Sequence, residues 1–424
     1  MQPILKSLLS YLDQSPTAAH TGNVSVDFLR AKGFEELKTG EPWKLLPGGA
    51  YFTLYSRSTL AAFVMGCKPP SETGFRITGA HTDAPGLQLK SEPYSHREGL
   101  ATLDIEVYGG PILNTWFDRD LGLAGRAVAE NGRVVLYHIQ EPFLRIVSPA
   151  IHLNREVNKK GFKANPESEM HPIFATADDF SSLRKAVAES AGLKAEDMSF
   201  FSAELVSLEK AVLAGIDREF LVSSRIDDIA SCHAALNAIA GVKKPGSTAV
   251  AVLFDNEEVG SRTTSGAGGP FLETLLERLS GGREEYFRAV SRSIMVSADC
   301  AHAVHPDWVG RHSPQSKPKL NGGPAVKRSA MQNYATGLET GAYFIRCAEK
   351  AGVAVQEFTG RADTQAGSTI GPITAARTGI PTVDVGNPML AMHSIRETSG
   401  ALDHQKMLDC MKIHMSGVVP AHNG

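Results

Sequence analysis

Apolar residues at Ile4, Leu8, Leu9 and Leu12 recur at the spacing of one helical face, so the chain is expected to open with an amphipathic helix. An alternating, strand-rich stretch comes next and ends in Phe75-Arg76-Ile77-Thr78-Gly79-Ala80-His81. From about residue 91 the pattern changes. Leu103, Ile105 and Val107 alternate as a half-buried strand does. Residues 128–135 read as a hairpin folded at Asn131-Gly132, the preferred pair for a tight primed turn. Asp178 and Asp179 then predict the cap of a helix that carries Phe180, Leu183, Val187 and Ala188.

After about residue 215 strands and helices take turns. Asp227 and Asp228 open a helix with Ile229, Cys232, Leu236 and Ile239 that stops at Gly241. The uninterrupted apolar run 248–254 predicts a strand buried on both faces, and 293–298 predicts a second. A helix is expected over 332–350, a strand over 353–358, a short helix over 369–377, a strand over 381–385 and a closing helix over 394–415. This alternation implies an α/β fold: a mostly parallel sheet covered by helices on both faces, interrupted by a β-rich insertion. The expected division is one unit built from 1–90 and 213–424, with the insertion at 91–212.

Composition narrows the classes. The chain has 424 residues, 42% of them hydrophobic and 21% charged, which is ordinary for a globular protein and unlike a disordered chain, a collagen or a coiled coil. A net charge of −3 offers no basic field to attract nucleic acid or an anionic membrane. No run of about 18 apolar residues is present. The five cysteines are scattered without a C-x-x-C pair, and the start of the chain lacks a basic region followed by a long apolar core. A cytoplasmic protein without nucleic-acid or membrane partners is the expectation.

The candidate chemistry lies just after the buried strands. His81-Thr82-Asp83 follows the first, Asp255-Asn256-Glu257-Glu258 the run 248–254, Asp299 with His302 and His305 the run 293–298, and His393 the strand 381–385. Ligands of open α/β sheets bind at the carboxyl ends of the strands, so four segments bring imidazoles and carboxylates to one edge, and Asp227 adds a fifth. Such a group needs a compensating charge when it is partly dry, and a divalent cation supplies one. Imidazole with carboxylate suits zinc, with manganese or cobalt as substitutes. More ligands are available than one ion takes, which favours two ions sharing a carboxylate about 3.5–4 Å apart, with one further carboxylate left to accept a proton from water. The pair Glu257-Glu258 can supply one ligand and one base. Asp83, two residues from His81, can accept the second imidazole N–H. There is no H-E-x-x-H, no G-x-S-x-G and no phosphate-loop signature.

At these residues the chain closely resembles the aspartyl aminopeptidase family of dinuclear zinc peptidases. The matching segments are His81-Thr82-Asp83-Ala84-Pro85-Gly86, Ser224-Arg225-Ile226-Asp227, Asp255-Asn256-Glu257-Glu258-Val259-Gly260-Ser261, Asp299-Cys300-Ala301-His302-Ala303-Val304-His305-Pro306 and Ala391-Met392-His393-Ser394-Ile395-Arg396-Glu397. The resemblance implies one zinc on His81, Asp227 and Asp299 and another on Asp227, Glu258 and His393, with Glu257 as general base. It implies that His152, which spacing alone gives no role, steadies the substrate carbonyl from a neighbouring subunit. Lys327 is implied as counter-charge to an N-terminal Asp or Glu of a peptide substrate, with Tyr334 beside it. A homo-oligomer is implied, a dodecamer built from dimers through the insertion. Asp228 stands where the family usually has Asn, so a second carboxylate lies beside the implied bridge.

Overall fold

The computed structural model describes residues 2–176, 181–364 and 367–421. Its centre is a nine-stranded sheet in the spatial order Glu35–Glu36, Ala50–Leu54, Leu60–Val64, Thr248–Phe254, Phe75–His81, Ile294–Ala298, Thr382–Gly386, Ala325–Arg328 and Gln356–Thr359. The four central strands, from Thr248–Phe254 to Thr382–Gly386, are parallel. Antiparallel pairings flank them, at Leu60–Val64 on one side and at Ala325–Arg328 on the other. The expectation of a mostly parallel sheet thus describes the centre, and the margins are mixed.

Alternation explains why both faces are covered. Along Thr248–Phe254 every residue is buried. Ala249, Ala251 and Leu253 point into a core shared with Leu8, Leu29, Leu236, Phe344 and Met411 from five helices. Val250, Val252 and Phe254 point the other way, against Phe271, Leu275 and Tyr286 of two more helices. A strand buried on both faces cannot carry a polar side, which is why its sequence is a continuous apolar run.

A second sheet of six strands is antiparallel throughout: Val134–Leu144, Leu121–Ala129, Met198–Ser207, Gly86–Arg97, Leu100–Tyr108 and Ile173–Ala175. It closes over its own core of Leu103, Leu123, Tyr137, Leu183 and Val187. Its hairpin turns where the sequence requires, with Gly132 at φ +81° and its N–H donated to the Ala129 carbonyl at 2.8 Å. The expected cap at Asp178 and Asp179, and Phe180, lie outside the described residues; the helix Ser181–Ser190 comes directly after them.

Several elements depart from expectation. The helix Ala18–Ala31 sits inside the stretch read as strand-rich. Its buried stripe is Ala19, Thr21, Gly22, Ser25, Val26 and Leu29, too small and polar for a clear apolar period. Gly22 is needed there because a Cβ would lie 2.0 Å from the Arg57 carbonyl oxygen. The helix expected from 332 begins at Leu338, and the closing helix begins at Ala401 rather than 394. Residues Glu397–Gly400 are instead a strand paired with Phe220–Ser223. They belong to a third, five-stranded sheet with Val212–Ala214, Pro388–Leu390 and Ala301–His302.

Candidate metal centre

Register brings the strand ends together. His81 pairs with Phe254 and Ala298 with Val385 across the central strands, so the residues just beyond them emerge side by side. The Phe75–His81 strand ends in His81, the Thr248–Phe254 strand leads to a short 3-10 turn at Glu257–Val259, and the Ile294–Ala298 strand leads to Asp299. The third sheet carries the loop between Pro388–Leu390 and Glu397–Gly400, and with it His393. Asp227 has non-helical angles, φ −77° and ψ 109°, ahead of the regular turns of the helix Ile226–Ala240.

These residues line one cavity of about 680 Å³. The Asp227 carboxylate is central: Oδ1 is 3.7 Å from His81 Nε2 and Oδ2 is 3.6 Å from His393 Nε2. Glu258 Oε2 is 3.4 Å from the same His393 nitrogen. The ligand atoms of His81, Asp227 and Asp299 lie within 4.8 Å of one another, as do those of Asp227, Glu258 and His393, and those of His81, Glu257 and Glu258. Both imidazoles are turned by their other nitrogen. His81 Nδ1 lies 3.0 Å from the Asp83 carbonyl and 3.4 Å from its Oδ1, and His393 Nδ1 donates to the Gly110 carbonyl at 3.0 Å. Nε2 of each therefore faces the carboxylates.

Asp83 does more than meet one imidazole. Its Oδ1 accepts the Glu257 N–H at 3.1 Å, and its Oδ2 accepts the Glu258 N–H at 3.1 Å and the Tyr108 hydroxyl at 2.7 Å. Asp228 turns from the cavity to the backbone, where its Oδ2 accepts the His81 N–H at 3.2 Å.

The electrostatics follow from crowding acids in a dry place. Burial pushes Glu257 up to about 8, with Asp299, Asp83 and Asp227 adding to it. Burial likewise raises Asp299 to about 6, opposed by the Lys327 ammonium. Burial works against a charged His393, but Asp227 and Glu258 outweigh it and hold the imidazole at about 9. Asp227 stays below the usual carboxylate range in spite of its burial, because His393, His81 and Lys327 surround it. Asp227 Oδ1 is buried without a hydrogen-bond partner. A buried carboxylate oxygen left without a donor, among imidazole nitrogens and further carboxylates, fits a divalent cation such as zinc.

Lys327 is buried, with Nζ donating to the Cys300 carbonyl at 2.9 Å and the Asp299 carbonyl at 3.3 Å, and lying 3.4 Å from Asp299 Oδ2. Tyr334 lines the same cavity, its ring centre 5.0 Å from Nζ. His152 is placed elsewhere: it is exposed in a turn of the segment before the helix Val157–Lys160, and is not among the residues lining the cavity. His305 caps a 3-10 turn by accepting the Asp307 N–H at 3.2 Å. His302, noted in the sequence without a role, lines the cavity and meets Phe358 edge-on at 5.6 Å. Phe358 escaped the sequence reading. It stands opposite Lys327 in the register of two neighbouring strands that run against the sheet's centre, a pairing that the order of residues along the chain does not reveal.

The description "Aminopeptidase I zinc metalloprotease (M18)" belongs to the family model that matches residues 11–413. A protein of Stutzerimonas stutzeri described as "Probable M18 family aminopeptidase 2" is 41% identical over 407 residues, covering 94% of each chain. A solved structure of an Ape4 and Nbr1 complex superposes with a TM-score of 0.94 at 33% identity, over 98% of this chain and 85% of that one. A Saccharomyces cerevisiae structure described as an mApe1 dodecamer superposes with a TM-score of 0.84 at 26% identity, over 97% and 96%.

Proposed function

We propose, since this chain belongs to the aminopeptidase I zinc metalloprotease family (M18), that it removes an N-terminal Asp or Glu from peptides at a centre of two zinc ions. The observation that carries the reading is the position of Asp227, within 3.7 Å of His81 Nε2 on one side and 3.6 Å of His393 Nε2 on the other. His81, Asp227 and Asp299 would hold one ion, and Asp227, Glu258 and His393 the second, with manganese or cobalt as substitutes. When bound, such ions acidify water and polarise a carbonyl oxygen.

The remaining steps belong to side chains. Glu257 takes a proton from the attacking water as the new C–O bond forms, and delivers it to the amine nitrogen as the C–N bond breaks. Glu257 lines the same cavity as these ligands and is fixed at its backbone N–H by Asp83, which places its carboxyl to carry that proton between the two events. Asp83 fixes the His81 imidazole and the turn that carries Glu257. Lys327, beside Tyr334, supplies the cation that meets the acidic side chain of the substrate.

His152 would act from a neighbouring subunit, steadying the negative charge that grows on the carbonyl oxygen. Its exposure in this chain is what such a donated residue needs. Residues 91–212 would form the dimerisation unit of a homo-oligomer, a dodecamer built from dimers; the dodecameric relative supports that assembly. Among the described residues no helix is long and apolar enough to cross a membrane, and the five cysteines are unpaired. Unpaired thiols suit the reducing cytoplasm, where we place the enzyme.

The test is a panel of aminoacyl substrates assayed with zinc, manganese and cobalt. Acidic residues should be released far faster than neutral or basic ones, and acetylation of the substrate's N-terminus should abolish turnover. Equal rates across the panel would sink the acidic preference, and turnover of the blocked peptide would point to a deacylase or endopeptidase.

A further inference from the structure

Two segments that carry proposed metal ligands meet at one carboxylate. Glu397 is 2% exposed and opens the strand Glu397–Gly400, where it pairs with Ser223 of the Phe220–Ser223 strand. Its Oε1 accepts the backbone N–H of His393 at 2.7 Å. Its Oε2 accepts the backbone N–H of Asp227 at 3.1 Å. Each oxygen is used once, by donors 170 and four positions away along the chain.

Both backbones need holding. His393 has φ +67°, in the left-handed region that residues other than glycine enter uncommonly, and Asp227 breaks the helical angles around it. Neither N–H is part of a regular helix or strand ladder, so without Glu397 both would be donors lacking an acceptor. The side chains are steered separately, His393 by the Gly110 carbonyl through Nδ1. Glu397 acts one level further back, on the distance between the two main chains.

We propose that Glu397 is a positioning residue that clamps the main chains of Asp227 and His393 and so sets the geometry of the ion held by Asp227, Glu258 and His393. The idea rests on the two-ion reading above. A carboxylate is required because both atoms facing the backbone are acceptors. In the amide of a glutamine one of them becomes a donor and opposes an N–H. Groups that hold metal ligands in place by hydrogen bonds typically contribute tenfold to a hundredfold in metal affinity. The ion beside His393 should be weakened most, since both clamped residues serve it, and the ion on His81 and Asp299 less, since only Asp227 is shared.

The experiment titrates zinc into metal-free wild type, Glu397→Gln and Glu397→Asp, reading stoichiometry and affinity calorimetrically, with turnover measured across the same zinc range. Circular dichroism in chelator reports folding, and the aspartate variant, which keeps the charge but retracts the carboxylate, serves if the glutamine variant does not fold. Wild type should bind two ions. The variants should bind one with near-normal affinity and the second about 10–100-fold more weakly, with kcat restored by excess zinc. Two ions bound at wild-type affinity by a folded variant, or a turnover loss that zinc does not restore, would overturn the clamp while leaving the two-ion site standing. Fewer than two ions in wild type would overturn the two-ion reading itself, and the clamp with it.

Discussion

Asp83 and Glu258 lie 175 positions apart, yet Oδ2 of one accepts the backbone N–H of the other at 3.1 Å. The same carboxylate holds Glu257 through Oδ1 and sits 3.4 Å from His81. One buried side chain therefore fixes the direction of a proposed ligand, of a second ligand and of the proposed base. Asp83→Asn replaces one acceptor by a donor aimed at a backbone N–H. Zinc affinity and kcat/KM are each expected to fall about 10–100-fold. Calorimetry with steady-state kinetics checks this, and a variant equal to wild type in both would remove the role.

Glu257→Gln keeps the shape of the side chain and removes its basicity. General-base catalysis typically contributes about 10²–10⁴ in rate, so kcat should fall by that range while both zinc ions remain bound. The check is metal analysis on the same sample used for kinetics. An active variant with full metal content would reassign the base.

Lys327→Met tests the acidic preference. A hydrogen bond between charged groups contributes about 1.5–3 kcal/mol, so kcat/KM for an aspartyl substrate should drop roughly 10- to 150-fold relative to a leucyl one. Lys327 also touches Asp299, and zinc content must be measured alongside. An unchanged Asp-to-Leu ratio would mean that Lys327 serves only Asp299.

Much of the site is legible in the sequence because strand-end chemistry is local. A buried parallel strand announces itself as an apolar run, and the residues next along the chain emerge at its carboxyl end in space. His81, Glu257, Glu258 and Asp299 are found this way. His393 is reached through the loop that follows the strand expected over 381–385, although the sequence gives no sign of the strands on either side of it, Pro388–Leu390 and Glu397–Gly400. Those strands are too short to show a period, and Glu397, inside a motif that carries the family resemblance, reveals its two contacts only in three dimensions. The helix Ala18–Ala31 is hidden for a packing reason: close approach to Arg57 demands Gly22 and small neighbours, which erase the apolar stripe. Lys327 and Phe358 need register, which pairs them across two strands that run opposite to the sheet's centre.

Acid should destabilise the fold through histidines remote from the cavity. Burial lowers His404 to about 4 and His414 to about 3, and His414 donates from Nε2 to the Ile77 carbonyl while Nδ1 meets the Tyr343 hydroxyl at 2.9 Å. Unfolded, each titrates near 6.5, so between that value and the folded one the unfolded chain binds more protons. Stability is full above about pH 6.5 and declines as pH falls toward 4 and 3, by on the order of 3–5 kcal/mol for each residue. Urea unfolding in chelator, compared between wild type and His414→Gln, should show a shallower acid slope in the variant. Identical slopes would exclude His414 as a contributor.

The position of zinc around Asp227 decides whether the centre holds two ions on a shared carboxylate. Crystals grown with excess zinc, measured on both sides of the zinc absorption edge, should give two anomalous peaks per chain about 3.5–4 Å apart, one on each oxygen of Asp227. His81 and Asp299 should flank one peak, and Glu258 and His393 the other. A single peak, or two that do not share Asp227, would rule out a two-ion centre bridged by that carboxylate.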